Sequence, residues 1–67
     1  MITVRFFRRR TQKIQIFKNV VSVVAQLQGT SNAYYNVTQV QFTADRKHRE
    51  IVEFRVPMKD SYINGVF

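Results

Sequence analysis

Apolar and polar residues alternate along much of this chain, and a period of two is the mark of half-buried strands. The first segment, Ile2–Arg8, alternates cleanly: Ile2, Val4 and Phe6 share one face, and Thr3, Arg5 and Phe7 share the other. Three more strand segments follow, Lys13 to Leu27, Ala33–Ala44 and Glu50–Val56. Polar breaks separate them at Arg9-Arg10-Thr11-Gln12, Gln28-Gly29-Thr30-Ser31-Asn32 and Asp45 to Arg49. In the last strand Val52, Phe54 and Val56 are expected to face inward, with Glu53 and Arg55 toward water.

The middle segments change phase. Ile14 and Ile16 fall on even positions, then Val21, Val23, Ala25 and Leu27 on odd ones; Tyr35 and Val37 are odd, Val40 and Phe42 even. A phase change requires an extra residue, that is a β-bulge or a sharp bend, and such bends let a short sheet curl onto itself. The pattern therefore predicts an all-β domain: a small, strongly bent antiparallel sheet of four to five strands, forming a barrel or half-barrel of SH3-like or OB-like size. Residues 17–28 also admit a helix, because Phe17, Val20, Val21 and Val24 fit helical spacing, while two Val-Val pairs favour a strand. After Pro57 the chain is expected to leave the sheet, and 59–67 to form a turn of helix or a short closing strand. Asn64-Gly65 reads as a turn.

Composition agrees with strands: ten Val and five Ile stand against one Leu and three Ala. With 67 residues there is one domain, spanning 1–67, whose folding buries only roughly 60% of its unfolded surface. No cysteine is present to reinforce it, so a fully packed sheet, a partner chain or a ligand must supply the missing stability, and a homo-oligomer is expected. No apolar run approaches the roughly 18 residues of a membrane span, and the charges of MITVRFFRRR follow its apolar stretch, unlike those of a signal peptide. The expectation is a soluble cytoplasmic protein.

Charge adds a function class. The net charge is +7, and six basic residues precede the first acid, Asp45. An uncompensated positive field attracts phosphate. In an antiparallel meander the first and third connections lie at the same end of the sheet. Arg8, Arg9, Arg10 and Lys13 would then meet Arg46, Lys47 and Arg49 as a phosphate-binding pole. Exposed rings are the second ingredient of single-strand recognition, and Phe7, Tyr34 and Tyr35 are the candidate stacking residues.

Other chemistry is not visible. His48 is the only histidine and has no ligand-spaced neighbour, so no metal site is expected. Asp45 and Glu50 are expected to pair with Arg46 or Arg49. Ser22, Ser31 and Ser61 lack a nucleophile context, and there is no Gly-rich phosphate loop. The expectation is no enzyme, no cofactor and no catalytic residue.

Met1-Ile2-Thr3-Val4-Arg5-Phe6 resembles the first strand of the small archaeal chromatin proteins, basic five-stranded barrels that bind DNA. The resemblance covers six residues, and this chain lacks the tryptophan that family places on its binding sheet. It implies only that a basic barrel of this size can serve nucleic acid.

Two functions remain. One is a non-enzymatic, sequence-tolerant nucleic-acid-binding module, for single- or double-stranded DNA or RNA. The alternative is a protein–protein interaction or assembly subunit, of phage, viral or mobile-element kind, that oligomerises through exposed strand edges at Val20–Leu27 or Ala33–Phe42. The basic turns would then meet an acidic protein surface. Membrane-surface binding through Arg8–Arg10 with Phe6 and Phe7 lacks the amphipathic helix it would need.

Overall fold

A computed structural model describes residues 1–27, 29 and 32–67. It contains five strands, β1 (Ile2–Arg8), β2 (Lys13–Gln26), β3 (Tyr34–Phe42), β4 (Arg49–Pro57) and β5 (Ser61–Val66), with a single 3-10 turn at Met58–Asp60. All pairings are antiparallel, in the order β4-β3-β2-β1-β5. β4 and β5 are the two edges, so the bent sheet is a half-barrel rather than a closed barrel. The first four strands form the expected meander. Of the turn expected at 28–32, Gln28, Thr30 and Ser31 lie outside the described residues; Gly29 takes a φ of +74°, which favours glycine. No helix among the described residues is long and apolar enough to cross a membrane.

The bend sits in β2. Val4 pairs with Phe17 and Ile2 with Val20, so β2 carries one residue more than β1 across that interval. Asn19 takes a φ of 56° there, a left-handed conformation that asparagine tolerates better than most residues. A second shift follows at once, because Val20 pairs with Gln39 but Ser22 with Thr38. Lys13 to Val20 thus pairs with β1, and Val20 to Gln26 with β3. Phe17 and Val20 are buried, and Val23 packs partly buried against them. Two bulges turn a period of two into the period of three of Phe17, Val20 and Val23, while Val21 and Val24, the other residues of the helical spacing, are exposed.

The bend folds one half of the sheet over the other. Val4, Phe6, Phe17, Val20, Val37 and Val56 form the core, with Val23 and Tyr35 against it. Phe6 meets Phe17 edge-on at 5.8 Å between ring centroids and lies 5.4 Å from Tyr35. Val37 faces Phe54 across the β3–β4 pair, and Tyr35 faces Val56, so the expected inward face of β4 is present. Phe54 touches Phe17 at 5.6 Å yet remains 39% exposed, because the outer part of this hairpin extends beyond the core.

Several expectations are corrected. Ile14 and Ile16 are exposed; Gln15 and Phe17 take the inner positions of that stretch. After Pro57 the chain does leave the sheet, as expected: it makes the 3-10 turn and then returns as a short closing strand, β5, beside β1. Met58 donates its amide to Ala33 at 3.0 Å, and buried Ser61 donates its hydroxyl to the Pro57 carbonyl. Asn64-Gly65 is a bulge inside β5, since Phe6 pairs with Ile63 but Arg5 with Gly65. β3 is paired on both sides from Tyr34 to Gln39, so most of Ala33–Phe42 provides no edge, whereas Ser22 to Gln26 of β2 pairs with β3 alone and keeps one side open.

Phe6 is completely buried at the meeting point of the two halves. Phe6→Ala should cost about 3–5 kcal/mol, comparable with the whole stability of a domain this small. Urea titration followed by circular dichroism should find the variant largely unfolded in buffer, whereas Ile16→Ala should stay close to the parent.

Candidate nucleic-acid interface

Side chains of β1 that point away from the core build a face with their neighbours on β2 and β5. Phe7 pairs with Ile14 on one side and Tyr62 on the other; Arg5 pairs with Ile16 and Gly65. The Phe7 and Tyr62 rings lie 5.2 Å apart, tilted by 33°. The Arg9 guanidinium sits 5.0 Å from the Tyr62 centroid, and that of Arg5 lies 4.3 Å from Phe67. Phe67 is tied down by paired backbone hydrogen bonds with Thr3 at 2.9 and 2.8 Å. Its ring lies against Gly65, where a Cβ would come within 2.7 Å of the ring. Glycine is therefore required for this ring position.

Tyr62 is 40% exposed and Phe67 66%, with exposed Ile14 and Ile16 beside them. Among the described residues, neither Arg5 nor Arg9 has a carboxylate partner. Guanidinium groups stacked on rings keep their N–H edges for acceptors in solvent. The face offers guanidinium planes held flat on rings, which combine a stacking surface with positive charge, the two requirements of single-strand binding.

The residues singled out by sequence fall into different roles. Arg8 is on the inner side, in a salt bridge to Asp60 at 3.0 Å, with a second bond from its Nε at 3.1 Å and one to Gln15 at 2.7 Å. Asp60 also organises the following turn: its carboxylate accepts the Arg10 amide at 3.0 Å, and its carbonyl the Arg9 amide at 2.6 Å. Arg9, Arg10 and Lys13 are exposed around that turn, as are Arg46, Lys47 and Arg49 around the β3–β4 connection. Both connections lie at the same end of the meander in strand order, with the bend of β2 between them. Phe7 is half-buried under Tyr62. Tyr34 carries the Arg55 guanidinium at 4.8 Å from its centroid, and Tyr35 packs on Phe6 against the core.

Asp45 does not pair with an arginine. Its carboxylate accepts the Thr43 hydroxyl and the Lys47 amide, the latter at 3.0 Å, and lies 3.7 Å from His48 Nδ1. The turn backbone, with Arg46 at a φ of 59°, is what it holds.

Arg5, Tyr62 and Phe67 belong to this face without being among the binding residues that the sequence singled out. Alternation already placed Arg5 beside Phe7. Tyr62 and Phe67 join only because β5 returns to β1, a pairing that no local pattern announces.

Burial pushes the Asp60 carboxyl up, but the hydrogen bonds from Arg8 and the Arg10 amide, with the two arginine charges, more than offset it and hold it below its ordinary 3.8. A depressed native value contributes stability above the unfolded value, and that contribution is lost as pH falls through the native one. Asp60→Asn should lower the melting temperature at pH 7 and flatten its fall below about pH 4. Parallel melting-temperature curves for the two proteins between pH 7 and 2 would contradict this role. No family model, curated protein or solved structure matches this chain, so the reading of this face rests on its own geometry.

Proposed function

We propose that the protein is a small, non-enzymatic nucleic-acid-binding module that takes single strands in a sequence-tolerant way. The observation that carries this reading is the outer face of β5, β1 and β2. There Tyr62 stacks on Phe7 under Arg9, and Phe67 lies under Arg5. Bases of any sequence have a ring face to lay on the guanidinium planes of Arg9 and Arg5, which Tyr62 and Phe67 support from beneath, while the basic turn at Arg9, Arg10 and Lys13 follows the phosphates. The net charge of +7 adds a long-range attraction for the polyanion. Arg8 holds the turn in place through Asp60 and acts on binding only by positioning its neighbours.

A second reading, an assembly subunit, is favoured by the exposed apolar side chains, among them Leu27 at 76%, Ile51 at 64% and Val66 at 56%. Isolated exposed apolar residues are ordinary on protein surfaces, so the stacked cationic face is the more specific of the two signals.

Fluorescence anisotropy with labelled oligonucleotides over a salt series tests the first reading. Five to six phosphate contacts on a single strand predict a log–log slope of about −4. Tyr62→Ala should weaken binding by about 5- to 100-fold, because Arg9 loses the ring that holds its stacking plane in place. Arg9→Glu with Arg10→Glu leaves the backbone bonds to Asp60 in place and should make the slope shallower by about 1.4. Unchanged affinity in either folded variant would remove this face from the binding site.

A further inference from the structure

The two edge strands of the sheet differ. β5 is interrupted by the bulge at Asn64, which disrupts the regular row of backbone donors and acceptors that a pairing strand needs. β4 is regular: from Arg49 to Pro57 every residue pairs with β3 without a register shift. An uninterrupted edge strand is a template for another strand. The side chains of β4 decide which strand fits.

We propose that β4 pairs antiparallel with β4 of a second copy, about a two-fold axis through Ile51. The strand carries Arg49, Glu50, Glu53 and Arg55, so it is neutral within a chain of net charge +7, and two copies can meet there without mutual repulsion. A two-fold perpendicular to the sheet keeps outer residues on the outer face, so only same-face residues stand opposite each other. Centred on Ile51, Arg49 faces the partner's Glu53, and Glu53 faces the partner's Arg49. Between these pairs Ile51 meets the partner's Ile51, while Val40, its cross-strand neighbour within each copy, is already buried in the single chain. Ile51, 64% exposed in the single chain, becomes the centre of an apolar contact bordered by ion pairs.

Other centres fit worse. An axis through Val52 sets Arg49 against the partner's Arg55, and one through Glu50 or Glu53 sets that carboxylate against its own copy. An axis through Phe54 also matches Glu53 with an arginine, Arg55. It places Pro57, which has no N–H to donate, in the ladder, and it sets Val52 against Val56, which is 1% exposed and has nothing left to bury.

Edge pairing of this kind is independent of nucleic-acid binding, which uses the opposite end of the sheet, so its test is run on nuclease-treated protein. Sedimentation equilibrium should give twice the chain mass at the higher concentrations. The chain has no cysteine, so Ile51→Cys introduces the only thiol, and opposed residues at about 4.5–5.5 Å between Cβ atoms stand close to disulfide reach. Mild oxidation should join two copies through that variant and not through Phe54→Cys. Glu53→Arg, at an exposed site, should raise the dimer Kd by about tenfold or more. Combining it with Arg49→Glu should restore dimerisation, because the exchanged charges face each other again. A single-chain mass at every concentration, or cross-linking through Phe54→Cys in place of Ile51→Cys, would overturn the proposal. So would a folded double variant that stays monomeric.

Discussion

One strand with two partners sets the shape of this molecule. β1 and β3 flank β2, and in a flat sheet they would stand about 9.6 Å apart, two strand spacings. Phe6 of β1 and Tyr35 of β3 nevertheless have ring centroids 5.4 Å apart. Phe17 of β2 and Phe54 of β4, also two strands apart, meet at 5.6 Å. Such contacts fit a sheet curled toward its inner face, and the two bulges around Val20 allow that curl. Asn19 in its left-handed conformation lets Phe17 and Val20 point into the same core although three positions separate them. Without that turn of the backbone, one of these side chains would face water and the core would lose its middle.

The sequence made the strands visible where alternation was undisturbed, and it became ambiguous where the backbone departs from regularity. β1 has the limits its alternation implied, because a single register of inward Val4 and Phe6 is compatible with a buried face. In β2 the irregular pattern did mark bulges, but there are two, so the inner positions are odd both before them (Gln15, Phe17) and after them (Val23), and β3, whose pattern also changed parity, pairs with β4 without any shift. Ile14 and Ile16 lie on the outer face because Phe17 fixes the inner register of that segment. At Asn64-Gly65 a composition typical of turns serves a bulge, since β5 already has β1 beside it. The candidate site was half legible. Arg5 and Phe7 shared a face by simple parity, whereas their partners Tyr62 and Phe67 depend on a pairing between segments more than fifty residues apart.

Arginine is used in two ways here, and the distinction is invisible in a charge count. Arg8 is spent on the fold: with Asp60 and Gln15 it closes one end of the half-barrel, and its charge has a local counterion. Arg5, Arg9 and Arg55 lie on aromatic rings, which orient their guanidinium planes without neutralising them. The effective field of the outer face is therefore set by cations next to rings rather than by the triple arginine run as a whole.

The return of β5 to β1 has a consequence for how the protein comes into being. During synthesis the meander from β1 to β4 emerges first, and each of its hairpins joins neighbouring segments. β5 emerges last and must find the strand made first, a non-local step of the kind that slows folding. Until it does, the free side of β1 is an open edge, and Phe7 and Arg5 lack the rings of Tyr62 and Phe67. The aromatic face thus depends on β5: a chain still short of residue 61 holds all the residues of the core and lacks Tyr62 and Phe67, which complete the platform.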